Sequence, residues 1–146
     1  FYCCDILYKR FKSRDIRQMG GLARVAPKFA VLFLIVILGS MGVPLTNGFI
    51  GEFILIKSIF SFNVLACIIA GLTVILCAVY LLRFYGKAMF GKGDDAVLAT
   101  AKDLSAVEFS VLASIAVFVI VLGIFPQPII DMVGSSVRFI YTAMIS

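Results

Sequence analysis

The chain has 146 residues, 62% of them hydrophobic and only 14% charged, with a formal net charge of +5 and no histidine. Soluble domains carry about 45–50% apolar and about 25% charged residues, so this composition excludes an ordinary soluble fold and points to an integral membrane protein. The four cysteines, Cys3, Cys4, Cys67 and Cys77, have no metal-ligand spacing, and no Ser/His/Asp, Cys/His or phosphate-loop pattern offers covalent chemistry.

Residues 1–7 read as the end of a preceding helix. An opening of Phe1-Tyr2-Cys3-Cys4, without Met or a basic leader, suggests a segment of a longer polytopic chain. Residues 8–28 form a connector with seven cations, Lys9, Arg10, Lys12, Arg14, Arg17, Arg24 and Lys28, opposed only by Asp15. Such a concentration beside an apolar span marks the cytoplasmic side. Residues 29–61 are apolar at both ends but crowded in the middle with Gly39, Gly42, Pro44, Asn47, Gly48 and Gly51. As one straight helix, residues 29–60 would run roughly 48 Å at 1.5 Å per residue, against a hydrocarbon core of about 30 Å. Two half-helices joined by an unwound segment satisfy both facts. Such backbone survives at membrane depth only when it is buried in protein or lines a wet cavity.

Ser61, Phe62 and Asn63 make an uncharged external turn, and residues 64–82 form a second span. Residues 83–105 return the chain to the cytoplasmic side with Arg83, Lys87, Lys92 and Lys102, beside Asp94, Asp95 and Asp103. The last span covers residues 106–125, with Glu108 in its first turn, where a carboxylate meets the positive end of the helix dipole. Pro126 and Pro128 stop it, and residues 126–146 read as an amphipathic tail on the outer side. Eleven cations lie in the two inner connectors, against Arg138 outside. That asymmetry orients the chain and accounts for its positive charge through the lipid bilayer, without a nucleic acid partner. The predicted fold is an all-α membrane protein with about three transmembrane helices of a larger bundle, the first broken in two.

Glu52 is the candidate site residue. A carboxylate amid apolar residues costs roughly 2.5 kcal/mol or more at the centre of a span, so it is retained there for binding, transport or a specific contact. It follows the break formed by Gly42, Pro44, Thr46, Asn47, Gly48 and Gly51, near the start of the second half-helix. Burial favours the neutral acid and the dipole of that half-helix favours the carboxylate, a balance suited to a group that passes a proton on. Thr46 and Asn47 can hydrogen-bond backbone groups freed at the break or hold a water. Lys57 lies about 140° round the helix from Glu52 and roughly 7.5 Å along it, a poor spacing for an ion pair. For Lys57 two readings stand: snorkelling or contact with a neighbouring helix, and a direct part in proton movement.

Four stretches in order, SRDIRQMGGLARVAPK, GVPLTNGFIGEF, RFYGKAMFGK and GIFPQPIID, resemble the C-terminal part of chain M of NADH:quinone oxidoreductase. That enzyme is the proton-pumping respiratory complex I, and the mitochondrial counterpart of the chain is NADH dehydrogenase subunit 4. The resemblance covers nearly the whole sequence and implies the last three helices of an antiporter-like subunit. In that family, chain M carries Glu after the GF(I/V)G run where chain N and the Mrp relative usually carry Lys, so Gly51-Glu52-Phe53 favours chain M. Glu52 would then stand at the far end of a buried proton relay, whose other Glu, Lys and His members would lie upstream of Phe1. Lys57 departs from the apolar residue expected in many members. The implied activity is proton translocation coupled to electron transfer from NADH to a quinone. No cofactor would be bound by this segment; NADH, flavin, iron–sulfur clusters and quinone would belong to other subunits. The implied partners are the other membrane subunits, neighbouring antiporter-like ones foremost, in the bacterial inner membrane or the mitochondrial inner membrane. The alternatives are a subunit of an Mrp-type Na+/H+ antiporter, or a membrane scaffold in which Glu52 only pins helix packing.

Overall fold

The computed structural model of the chain describes residues 1–12, 15, 19–93, 98, 102–128, 130, 131, 133 and 134, and no strand occurs among them. Arg14, Arg17, Asp94, Asp95 and Arg138, with most of the expected outer tail, lie outside the described residues. Among the described residues six helices have defined bounds, in order: α1 Tyr2–Phe11, α2 Leu22–Val25, α3 Pro27–Ser40, α4 Asn47–Phe62, α5 Val64–Phe90 and α6 Ala106–Ile124.

The expected break is present. α3 has 14 residues and α4 has 16, about 21 and 24 Å of helix. Each alone falls short of the roughly 30 Å apolar layer. α5 and α6 are both long and apolar enough to cross a membrane. α5 continues past Leu82 by about two turns, carrying Arg83 and Lys87 on helix rather than on loop. Between α4 and α5 the turn reduces to Asn63, whose side-chain oxygen accepts from the Leu65 and Ala66 amides at 2.8 and 3.2 Å. That cap reverses the chain in one residue.

The core lies toward the end where the basic connectors meet. Cys3, Ile6, Leu7 and Phe11 recur on one face of α1 and pack with Phe29, Phe33 and Ile37 of α3, Tyr85 and Met89 of α5, and Leu112 of α6. The Phe29 and Phe33 rings stack with centroids 5.4 Å apart, and Tyr85 tilts against Phe33 at 5.7 Å. The buried Tyr85 hydroxyl donates to the Ala30 carbonyl at 3.0 Å, so the ring packs without stranding its polar tip. α4 differs: it packs between α5 and α6 but buries none of its residues. Much of its surface, with that of α5, is exposed Phe, Ile, Leu and Val, as suits a face turned to lipid or to other helices.

Candidate functional site

The break between α3 and α4 consists of two turns in series. α3 ends in a Schellman motif: Met41 is the C-cap, Gly42 follows at φ 64°, the Val43 amide donates to the Leu38 carbonyl at 3.2 Å and the Gly42 amide to Gly39 at 3.5 Å. Val43, Pro44, Leu45 and Thr46 then form a β-turn closed by the Thr46 amide on the Val43 carbonyl at 3.1 Å. Proline at the second position and a positive φ at the third are the marks of a type II turn, whose third residue is usually glycine. Here it is Leu45, at φ 76°. A non-glycine residue in that region costs about 1–2 kcal/mol. Thr46 is buried, and its hydroxyl donates to the Val43 carbonyl at 2.6 Å, so that oxygen accepts twice. The Asn47 side chain is exposed and makes no hydrogen bond among the described residues.

Glu52 stands on the second turn of α4, beyond the first turn where the helix dipole is strongest. The carboxylate reaches back across the break to Gly42. A β-carbon built on Gly42 would overlap the Glu52 carboxylate, so the side chain of Glu52 fills the space a side chain at position 42 would take. Gly42 is thus needed both for its backbone and for its missing side chain. Gly48 serves the same closeness from the other half-helix, because a β-carbon there would strike the Gly39 carbonyl. Gly51 has open space around it and only widens the cleft.

That cleft, about 380 Å³, runs between α4 and α5 and is walled by Glu52, Leu55 and Ile56 on one side and Ala70 and Val74 on the other. Glu52 is half-buried and, among the described residues, has no hydrogen bond and no ion pair. Lys57 is exposed on α4, forms no ion pair with Glu52, and contributes only its carbonyl, to the Ser61 hydroxyl at 3.3 Å. The structure therefore brings Glu52 together with Gly42 and Gly48 and leaves Lys57 outside the group. An unpaired carboxyl in a mostly apolar cleft of a membrane-family fold is costly to keep, which marks Glu52 as the candidate functional residue.

A second polar cluster sits at the opposite end of the same span. Arg10 donates to the Lys102 and Asp103 carbonyls at 2.8 and 3.1 Å, meets the Glu108 carboxylate at 3.4 Å, and lies over the Phe29 ring at 5.6 Å. Glu108 closes a capping box with Ser105, accepting from the Ser105 amide at 3.0 Å while its own amide donates to the Ser105 hydroxyl at 3.3 Å. The Ser105-x-x-Glu108 spacing is itself a capping-box signature, a second reason for Glu108 beside the helix dipole. Nothing local signalled the role of Arg10, which was grouped with the other connector cations.

Comparison with known proteins agrees with this architecture. Residues 1–77 match the family described as NADH:quinone oxidoreductase/Mrp antiporter, TM. NADH-quinone oxidoreductase subunit M of Rickettsia felis is 36% identical over 138 residues, 94% of this chain and 28% of the relative. Subunit M of Rhodobacter capsulatus is 33% identical over 137 residues, 94% of this chain and 27% of the relative. NADH-ubiquinone oxidoreductase chain 4 of Marchantia polymorpha is 34% identical over 137 residues, 94% of this chain and 28% of the relative. The chain thus spans a little over a quarter of the length of the curated relatives it matches.

Proposed function

The chain belongs to the NADH:quinone oxidoreductase/Mrp antiporter transmembrane family, and from that premise we propose that it is part of a proton-translocating membrane subunit of an NADH:quinone oxidoreductase. The observation that carries the reading is the Glu52 carboxyl, unpaired among the described residues and seated against Gly42 at a helix break. In this reading Glu52 is the proton-carrying group of the segment. Protons reach it from upstream helices of the same subunit and leave toward the outer face or a neighbouring subunit. The relatives are named as subunits of NADH-quinone and NADH-ubiquinone oxidoreductases rather than as antiporters, which favours this reading over an Mrp-type Na+/H+ antiporter. Redox chemistry belongs to other subunits: NADH, flavin, iron–sulfur clusters and quinone are held there. The partners are those subunits and the lipid of a bacterial or mitochondrial inner membrane.

The test is Glu52→Gln in the intact complex, which keeps shape and removes the titratable proton. At matched complex content, the rate of NADH-driven proton-gradient formation is expected to fall by about tenfold, the effect of about 1.4 kcal/mol on one transfer step. A normal gradient with normal assembly would exclude Glu52 from the proton path. Loss of the assembled complex would support the scaffold reading instead.

A further inference from the structure

The cytoplasmic end of α3 is capped by a residue from a distant part of the chain. Pro27, at the first helical position, has no N–H, and the N-cap Ala26 offers no acceptor side chain. The next amides, of Lys28 and Phe29, would therefore lack partners. Both donate to the Asp103 carboxylate, at 3.3 and 3.4 Å. Those are the amides an N-cap side chain satisfies in its own helix, and a negative charge there also lies at the favourable end of the helix dipole. Asp103 is itself held. The Leu104 amide donates to its carboxylate at 2.8 Å, and Arg10 grips its carbonyl while meeting Glu108 on α6. Arg10 thus joins α1, the Phe29 ring, the strap at residues 102–103 and α6 at one point.

The other end of α3 is Gly42, against which the Glu52 carboxylate lies. α3 runs uninterrupted between these two ends and packs along α6, with Gly39 against Val119. A short helix moves as a rod, so a slip or rotation at Lys28 is delivered to Gly42. We infer that Asp103 is a positioning residue: by capping α3 across the fold, it sets the register of that half-helix and so the seat of the Glu52 carboxyl. The consequence for proton transfer rests on the proposed role of Glu52; the seating does not.

Two readouts separate these parts in the intact complex in membrane vesicles, with assembled complex measured on native gels. One is the rate at which dicyclohexylcarbodiimide labels Glu52, followed by peptide mass spectrometry. The other is the rate of NADH-driven proton-gradient formation. Asp103→Ala should change the Glu52 labelling rate about fivefold, the equivalent of losing a cap of about 1 kcal/mol. Asp103→Asn keeps one acceptor oxygen and turns its NH2 group, a donor, toward the other amide, so it should shift the rate by less than Asp103→Ala. Native labelling in an assembled Asp103→Ala complex overturns the proposal, and so does an equal shift in the Ala and Asn variants, which would make charge rather than capping the cause. If Asp103→Ala does not assemble, Asp103→Ser, with a shorter reach, carries the same test, and a native rate there overturns it. A shifted labelling rate with an unchanged rate of gradient formation upholds the seating and removes Glu52 from the proton path.

Discussion

The two ends of the broken span are built on opposite terms. At the N-terminal end of α3 the central groups are engaged: Phe29 is buried, the first free amides of α3 bond to Asp103, and Arg10 holds two carbonyls, a carboxylate and an aromatic face. At the break, a leucine sits at a positive φ, no residue of α4 is buried, and the one carboxyl has no partner among the described residues. Closely packed and fully hydrogen-bonded regions are the stable part of a protein, while strained and under-bonded regions collect where function needs them. The difference marks one end as the anchor and the other as the end where the proposed role of Glu52 would need freedom to act. It also explains how a weakly packed site keeps a defined geometry, since α3 carries the rigidity of the anchor to Gly42.

The comparison can be broken first at Gly42. Gly42→Ala adds a β-carbon at φ 64° that collides with the Glu52 carboxylate. It should cost about 2 kcal/mol or more, from the backbone penalty together with displacement of Glu52, and should lower both assembled complex and the proton gradient. Gly86→Ala is the control, because its β-carbon meets nothing and a helical Ala is favoured over Gly by up to about 1 kcal/mol. Equal behaviour of the two variants would deny Gly42 its special place. A smaller effect of opposite sign is expected at Leu45, which is exposed and holds a conformation natural to glycine. Leu45→Gly should raise the melting temperature of the assembled complex, with a net gain of about 1 kcal/mol after glycine's greater unfolded-state entropy. A lower melting temperature would mean the leucine makes a contact worth more than its strain. The smallest effect belongs to Lys57, which is exposed and unpaired with Glu52. Lys57→Met should leave the proton gradient near normal, and a large loss would return Lys57 to the proton path.

Much of the comparison was legible in the sequence. Hydropathy and length arithmetic located the spans, and the crowding of Gly42, Pro44 and Gly48 located the break, because those residues disfavour helix by mechanisms that do not depend on context. Glu52 stood out for the cost of a carboxyl among apolar residues. What the chain concealed are contacts between distant positions. The Lys28 amide and the carboxylate that caps it are 75 residues apart, and no local pattern encodes such a pair. The seat of Glu52 against Gly42 likewise arises only when the half-helices fold back on each other. Leu45 was hidden for another reason: Pro44 signals a turn, but leucine gives no warning of a positive φ. Of Thr46 and Asn47, similar on paper, only Thr46 bonds the freed backbone, because it alone is turned inward at the helix cap.

The central claim is that the Glu52 carboxyl takes up and releases a proton during turnover. Infrared difference spectroscopy of the intact complex, cycled between resting and NADH-driven states, addresses it directly. The account predicts a carboxyl C=O band that changes on turnover and is absent from the Glu52→Gln complex. The same band at full intensity in Glu52→Gln, in a complex that still pumps, would contradict it.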